Sequence, residues 1–172
     1  MGICVSLIAL YIKGWKATYA LIGVVPNTDI YVDAATHKRA RQLPNIKIFR
    51  YTGAVNFASR ATFKKALYKT IDITFKKIRS ASLGGDETKQ LVGMRTLIID
   101  LSCITHMDSA AFKTCKEIQK EMELFNAELI LTGPNDRVYD ALRHAEFLDN
   151  VSFLVMPSIH DAVTYATAKY IA

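Results

Sequence analysis

Residues 96–118 read TLIIDLSCITHMDSAAFKTCKEI and join a buried strand to an amphipathic helix. Thr96–Leu101 is almost continuously apolar, which is typical of a central strand covered on both faces. Ser102–Met107 is predicted to be a loop, and Asp108 with Ser109 opens the helix. The apolar residues of that helix recur at helical spacing: Ala111, Phe112, Cys115, Ile118, Met122 and Phe125. This arrangement predicts one unit of an α/β fold with a mostly parallel sheet.

Two further strand–helix units follow this stretch. Residues 128–132 (ELILT) and 151–155 (VSFLV) are predicted strands, and each precedes a segment with apolar residues on one helical face. The last helix begins at Ser158, which forms with Asp161 a pattern similar to a capping box. The repeated order of strand and helix supports a parallel arrangement with right-handed crossovers.

The segment before residue 96 predicts the antiparallel part of the sheet. Ile30–Val32 is a short strand candidate, and Ile46–Tyr51 alternates apolar and polar residues, as a half-buried strand does. Gly53 permits a tight turn, so Ala54–Phe57 is expected to return as the second arm of a hairpin. Ser59 is positioned to cap a helix that follows. We therefore predict an α/β fold with a mixed central sheet and helices packed on it.

The helix after Ser59 carries an apolar stripe that extends to Ile78. Beyond it, residues 80–90 are rich in Ser, Gly and charged residues, which predicts a flexible loop. That loop has too little apolar content to lead into a second packed domain. The length of 172 residues also suits a single domain with its own core.

The first twelve residues, MGICVSLIALYI, carry no charge and are followed at once by Lys13, Trp15 and Lys16. A bilayer-spanning helix needs about 20 apolar residues, so this run is too short to cross alone. Three interpretations remain open: the inner half of a membrane span, an interfacial anchor, or a buried core element. The cationic and aromatic cluster favours the membrane interpretations, because such residues lie where helices leave the bilayer on the cytoplasmic side.

Composition narrows the classes of function. A net charge of +6 is compatible with binding to nucleic acid. The basic residues are scattered, however, and accompany no nucleic-acid-binding motif. We therefore predict no nucleic-acid partner. Three cysteines without a CxxC pair favour a reducing environment and argue against a structural zinc site. Phosphate-binding glycine motifs and paired histidine ligands are missing from the sequence. We predict no catalytic residue, no metal and no cofactor.

Two candidate groups of side chains need separate treatment. Cys103 and His106 follow the central strand and suggest a thiol with a nearby base, but a third orienting group is not evident, and inert cysteine is commoner. Asp108 and Ser109 lie at a predicted helix N-terminus beyond a strand end, where anions bind and a phosphate on Ser109 would be stabilised. The simpler interpretation is that one of the two residues caps the helix.

Several motifs, in order, carry a family resemblance. Gly23–Asp33 (GVVPNTDIYVD) resembles the G-x-x-P-x-T-D-x-Y-x-D segment that follows the last membrane span in sulfate-permease-type anion transporters. Pro44–Tyr51 followed by Val55–Ala58 resembles the next region of the same family. Leu97–Leu101 with His106–Ala110 resembles the strand-to-helix signature of STAS domains, which these transporters share with bacterial anti-sigma-factor antagonists.

The resemblance implies a STAS domain over residues 22–172, preceded by the end of the last membrane span and a juxtamembrane segment over residues 1–21. It implies a non-catalytic cytoplasmic domain of an exchanger for sulfate, chloride, bicarbonate, iodide or oxalate, at the plasma membrane. The implied partners are the transmembrane portion of the same transporter, the inner membrane leaflet, a second copy in a homodimer, and regulatory proteins. The domain would contribute to assembly, trafficking and regulation, with Lys13, Trp15 and Lys16 at the inner membrane face.

One alternative is a free phospho-switch protein of the antagonist type, acting through Ser109. Ser109 aligns with the serine that is phosphorylated in the bacterial antagonists, and nucleotide contact is also associated with this helix start. The chain departs from that pattern at Ala110 and Ala111, where the antagonists usually carry a small polar residue and a glycine. The loop over residues 80–90 is also shorter than in many animal transporters.

Overall fold

The structure is a computed structural model that describes residues 17–73, 94–149 and 152–171 of the chain. Strands and helices alternate through most of these residues. In chain order, the elements are β1 (Thr18–Val24), β2 (Tyr31–Asp33), β3 (Asn45–Val55), α1 (Arg60–Thr70), β4 (Met94–Asp100), β5 (Ile104–Met107), α2 (Ser109–Glu123), β6 (Glu128–Thr132), α3 (Asp136–Asp149), β7 (Leu154–Met156) and α4 (Ile159–Ile171).

The strands form one mixed sheet in the order β2, β1, β3, β4, β6, β7, with β5 attached to the end of β3. Strand β1 is antiparallel to both β2 and β3. The pairs β3–β4, β4–β6 and β6–β7 are parallel, as the alternation of strands and helices predicts. The predicted fold class, a mixed central sheet with helices packed on it, is confirmed.

Helices cover both faces of the sheet. The first three helices contribute Phe63, Phe112 and Val138 to a large apolar cluster, which also contains Phe49 of β3. Helix α4 packs on the opposite face through Ala162, Val163 and Ala166, against a smaller cluster of isoleucines: Ile22, Ile46, Ile48, Ile98 and Ile130. The helical stripe of α2 is buried as its spacing predicts.

Strand β3 corrects two predictions about residues 46–57. Its side chains alternate between the two clusters, with Ile46 and Ile48 on one face and Phe49 and Tyr51 on the other. Both faces are therefore covered, and the prediction of a half-buried strand is wrong. The predicted hairpin at Gly53 is also wrong, because Gly53 has a φ of 136° and the strand continues through it to Val55.

Two strands were not predicted. β1 begins at Thr18, so the last four residues of the predicted segment over residues 1–21 pair with β3, in register from Thr18 opposite Thr52. Its apolar residues could not be separated by periodicity from the apolar run before them. β5, predicted as part of a loop, pairs in parallel with Gly53 and Val55. The antiparallel part of the sheet thus comes from β1 and β2.

The remaining predictions agree with the structure in part. The short strand near residue 31 and the last strand are present, each displaced by one or more residues. Helix α1 ends at Thr70, and the Asp72 backbone adopts a left-handed conformation just beyond it. The predicted continuation to Ile78 and the loop over residues 80–90 lie outside the described residues. The same is true of residues 1–12 and of Lys13, Trp15 and Lys16.

The Tyr51 side chain gives a test of the core. It is 1% exposed, lies edge-on to Phe63 with ring centroids 5.1 Å apart, and its hydroxyl has no hydrogen-bond partner among the described residues. Burial raises the pKa of this phenol. We expect Tyr51→Phe to keep the free energy of unfolding or raise it by about 1 kcal/mol, because an unpaired buried hydroxyl is removed. Urea denaturation measures this change, provided that both proteins show the same m value, which is the dependence of the free energy of unfolding on urea concentration.

The matched control is Phe63→Ala, which removes a fully buried ring from the same contact. It should lower the free energy of unfolding by about 3–5 kcal/mol, through lost burial and a cavity. A clear loss in Tyr51→Phe would mean that the hydroxyl is hydrogen-bonded in the folded protein, contrary to this structure.

Candidate functional site

The candidate site lies where the parallel strands end, between the β3–α1 and β5–α2 connections. Asp108 is the N-cap of α2, with an extended backbone, and its Oδ1 accepts a hydrogen bond of 2.9 Å from the Ala111 N–H. Its Oδ2 accepts a second bond of 2.8 Å from the N–H of Phe57. One carboxylate therefore joins two connections that are 51 residues apart in sequence. The capping interpretation is confirmed for Asp108.

Ser109 is the first residue of α2, and it is exposed. The N–H groups of a first helical turn have no partners within the helix, so they point outward beside this hydroxyl. The Asp108 carboxylate already accepts one of them, which offsets part of the positive end of the helix dipole. The role of Asp108 and Ser109 in phosphorylation or in anion and nucleotide contact stays a prediction.

The connection after β3 is a tightly bonded turn that sequence reasoning missed. The Asn56 side-chain oxygen accepts hydrogen bonds from the N–H groups of Ala58 and Ser59, at 3.0 and 3.1 Å. Ser59 occupies the N-cap position of α1 without a side-chain capping bond. Its hydroxyl instead donates to the Ala54 carbonyl and accepts from the Asn56 N–H. The prediction that Ser59 caps the helix through its side chain is wrong, because that hydroxyl closes the preceding turn.

Phe57 stands at the tip of this turn and is 73% exposed, the largest exposed fraction of any large apolar side chain in the described ranges. The Arg60 guanidinium lies 5.3 Å from the centre of its ring, within range of a cation–π interaction. The only sequence signal for this feature was an aromatic residue within the predicted second hairpin arm. That pattern gives no signal of whether the ring is exposed.

An ion pair with a buried carboxylate joins β3 and β4 next to the site. The Asp100 side chain is 2% exposed, and its Oδ2 lies 2.5 Å from Nε of Arg50 on the neighbouring strand. Its Oδ1 accepts the N–H of Ser102 at 3.0 Å and so fixes the turn between β4 and β5. Removing Arg50 would leave the Asp100 carboxylate buried without its partner, which is strongly destabilising. We therefore assign Arg50 and Asp100 a structural role.

Among the described residues, Cys103 and Cys115 are free cysteines. Cys103 lies half-buried in the turn before β5, with its sulfur 3.7 Å from the Ser102 hydroxyl, and His106 is exposed on β5. Cys115 is fully buried in α2, and burial raises the pKa of its thiol to about 12. It is held as the neutral thiol, as expected for a core cysteine. Among residues 17–73, 94–149 and 152–171, no group of three or more potential metal ligands is placed to hold an ion.

The chain enters the sheet next to this site. A Cβ built on Gly53 would lie 3.6 Å from the Cβ of Ala17, and the Gly53 N–H donates to the Cys103 carbonyl.

Within the described part of the chain, none of the helices combines the length and apolar character needed to cross a bilayer.

Comparison with known proteins identifies the domain. Residues 37–162 match the STAS domain family. The chain belongs to that family. It is also homologous to proteins named sulfate transporter, with 27% identity in the horse protein and 26% in the human protein, in each case over 96% of this chain. A mouse protein named sulfate anion transporter 1 is 24% identical over 98% of the chain.

The STAS chain spans about a quarter of the length of these relatives, 25% of the horse and human proteins and 28% of the mouse protein. Its fold matches 25% of the murine Slc26a9 anion transporter in the inward-facing state, with a TM-score of 0.74, 25% identity and 97% of this chain covered. It also matches 90% of a Thermotoga maritima protein described as an anti-sigma factor antagonist, with a TM-score of 0.51 and 17% identity over 73% of this chain.

Asp108 and Ser109 make different structural contributions, and this difference is measurable. Asp108→Ala should lower the free energy of unfolding by about 1–2 kcal/mol, because the N-cap bond and the bond to Phe57 are both lost. Ser109→Ala should change it by less than about 0.5 kcal/mol, since the side chain is exposed. Urea denaturation of both variants compares them directly. A larger loss in Ser109→Ala than in Asp108→Ala would contradict this assignment of the cap.

Proposed function

We propose that this chain is the cytoplasmic STAS portion of a secondary-active anion transporter of the plasma membrane. It acts without catalysis, in dimer assembly, in trafficking and in regulation by partner proteins. The transported anion belongs to the sulfate, chloride, bicarbonate and oxalate class, and the pathway for it lies in a transmembrane portion that these residues do not contain. The segment over residues 1–21 includes the end of the last span, with Lys13, Trp15 and Lys16 at the inner leaflet.

The observation that carries this proposal is the extent of the match. Similarity to the sulfate transporters covers 96% of the chain, whereas the STAS family itself begins to match at residue 37. The added N-terminal part includes β1, β2 and the segment before them. The antagonist-like fold matches a smaller share of the chain, 73%. A transporter origin accounts for 96% of the chain, and the antagonist fold matches 73% of it.

The architecture suits an assembly and regulatory role. The Asp108 carboxylate at the carboxyl ends of the strands already accepts two backbone N–H groups. The surface at this end consists of helix ends and turns, and side-chain hydrogen bonds hold its backbone in place. A rigid surface binds partners with little loss of conformational entropy, which favours recognition over chemistry.

A chimera tests the proposal. The segment of mouse sulfate anion transporter 1 that matches this chain is replaced by residues 1–172, and surface delivery and sulfate uptake are measured in cells. We expect surface delivery well above that of the same transporter truncated before the segment, together with part of its uptake. The physical reason is that a folded STAS domain supplies the contacts that the membrane portion needs for assembly.

The matched control is the same chimera with Phe63→Asp, which places a charge at a fully buried position and should unfold the domain. It should behave like the truncated transporter. A folded chimera that reaches the surface no better than the truncated protein would count against the assembly role.

A second function, a phospho-switch, is favoured by one observation, the exposure of Ser109 at the first position of α2. A phosphate there would add about −1.5 to −2 charges beside unpaired N–H groups. The Arg60 guanidinium lies 5.3 Å from the centre of the Phe57 ring, and the Phe57 N–H binds Asp108, the residue before Ser109. Phosphorylation would therefore change the charge of a surface that already carries a cation and an aromatic ring.

Mass spectrometry of the protein from cells tests the switch, together with partner capture by wild type, Ser109→Asp and Ser109→Ala. The switch predicts a phosphorylated fraction at Ser109 and a set of bound proteins that differs between the Asp and Ala variants. An unmodified Ser109 under every growth condition, with identical partners for both variants, would exclude it.

A further inference from the structure

Three side chains from two distant parts of the chain meet at the start of α4. Asp29 lies in the turn between β1 and β2, Tyr31 is the first residue of β2, and His160 is the second residue of α4. Nδ1 of His160 lies 3.4 Å from Oδ1 of Asp29 and also 3.4 Å from the hydroxyl oxygen of Tyr31. The centroids of the two rings are 6.4 Å apart. One ring nitrogen therefore faces two different oxygens.

This junction gives part of a sequence motif a contact with α4. Residues 28–33 read TDIYVD and belong to the segment that resembles anion transporters, whereas His160 lies within the part of the chain that matches the STAS family. The first and last residues of this motif make side-chain hydrogen bonds within their own turns. Asp29 and Tyr31 reach α4 instead, and so they tie the hairpin of β1 and β2 to the last helix.

The two oxygens that face the imidazole differ in hydrogen-bond chemistry. The Asp29 carboxylate only accepts, whereas the Tyr31 hydroxyl can donate. Burial, and to a smaller degree the Asp29 charge, raises the pKa of the Tyr31 phenol above its ordinary value, so this hydroxyl keeps its proton at neutral pH. An unprotonated ring nitrogen accepts from such a hydroxyl, and a protonated one donates to a carboxylate. Each charge state of His160 thus has a different suitable partner.

The distances place Nδ1 of His160 between these partners. Both are 3.4 Å, whereas an ordinary hydrogen bond between nitrogen and oxygen measures about 2.9–3.0 Å. A small rotation of the ring therefore shortens one contact at the expense of the other. The His160 side chain is half exposed, and that of Asp29 is mostly exposed, so protons reach this nitrogen directly from water.

The surroundings of His160 on its own helix oppose its positive charge. His160 lies in the first turn of α4, where the positive end of the helix dipole disfavours an imidazolium. The neighbouring Asp161 carboxylate accepts from the Ser158 hydroxyl at 2.7 Å and is held in the helix cap. Asp29 is the carboxylate that contacts the ring and opposes the dipole.

The strands under α4 carry charges that are paired elsewhere. Asp100 pairs with Arg50, and Glu128 pairs with Lys169 at 3.0 Å, near the other end of the helix. Each of these charges has a partner other than His160. The balance between the two states of His160 is therefore set at the hairpin, by one carboxylate and one phenol.

We propose that His160 exchanges hydrogen-bond partners with pH and so forms a pH-sensitive contact between α4 and the β1–β2 hairpin. Neutral His160 accepts from the Tyr31 hydroxyl at Nδ1. After Nδ1 takes a proton from water, it donates to the Asp29 carboxylate. An imidazole ordinarily changes its charge between pH 5 and 8, so the contact moves from the strand to the turn over that range. This inference concerns contacts within the chain and does not depend on the proposed transporter function.

Nuclear magnetic resonance of the full chain in detergent solution tests the exchange. The ring resonances of His160, assigned by their loss in His160→Gln, are followed from pH 5 to 8.5. Asp29→Asn removes the partner of the protonated ring and should lower the midpoint of the titration by about 0.2–0.7 pH units. Tyr31→Phe removes the partner of the neutral ring and should raise the midpoint by a similar or smaller amount.

The same spectra contain matched controls. His106 and His144 are exposed on other elements, and their midpoints should not move in either variant. Asp140→Asn, which removes an exposed carboxylate on α3, should leave His160 unchanged. Added salt should reduce the effect of Asp29→Asn, because it screens exposed charges, and should leave that of Tyr31→Phe.

Opposite shifts in Asp29→Asn and Tyr31→Phe support the exchange of partners. Shifts of the same sign, no shift in either variant, or a shift in Asp29→Asn alone would overturn it, the last because a simple ion pair would then be sufficient. A second measurement uses the carboxyl carbon of Asp29. Its resonance should follow the titration of His160 in the wild type and lose that step in His160→Gln, and a step that persists in this variant would also contradict the proposal.

Discussion

Strand β3 must pair with β1, β4 and β5 at the same time, and this requirement organises the sheet. Its first part hydrogen-bonds to β1 on one side and β4 on the other, and its last part turns to β5. A backbone so fully paired leaves few polar groups without partners in the core. To continue beyond the core, β3 needs Gly53 at a φ of 136°, a backbone conformation that residues with a side chain rarely adopt. The side chains of β3 pack into both apolar clusters, one on each face of the sheet.

The candidate site is a consequence of that strand. Because β5 pairs with the end of β3, the cap of the next helix arrives beside the β3–α1 turn, and Asp108 can accept from Phe57 and Ala111 together. Both carboxylate oxygens are used in holding the fold, so this group has a structural task that competes with any chemical one. The surface nevertheless remains exposed at Ser109 and Phe57. Recognition at this end can therefore coexist with a fixed backbone.

The parts predicted from sequence are those in which one segment carries its own pattern. β4 is an apolar run covered on both faces, and α2 has an apolar stripe, so local periodicity was sufficient. β1 and β5 are defined by pairing instead. β5 is four residues long and half exposed, and its strand character comes from Gly53 and Val55. Gly53 itself was interpreted as a turn, because its positive φ serves a turn and an irregular strand equally well.

The same distinction applies to the site. Asp108 was predicted as a cap because a local pattern marks it, but its bond to Phe57 joins residues 51 positions apart and has no local signal. β1, which begins at Thr18, pairs with β3, and the last residues of β3 pair with β5, which leads to the Asp108 junction. The first described strand is therefore joined to the helix start at Ser109 through two strand pairings.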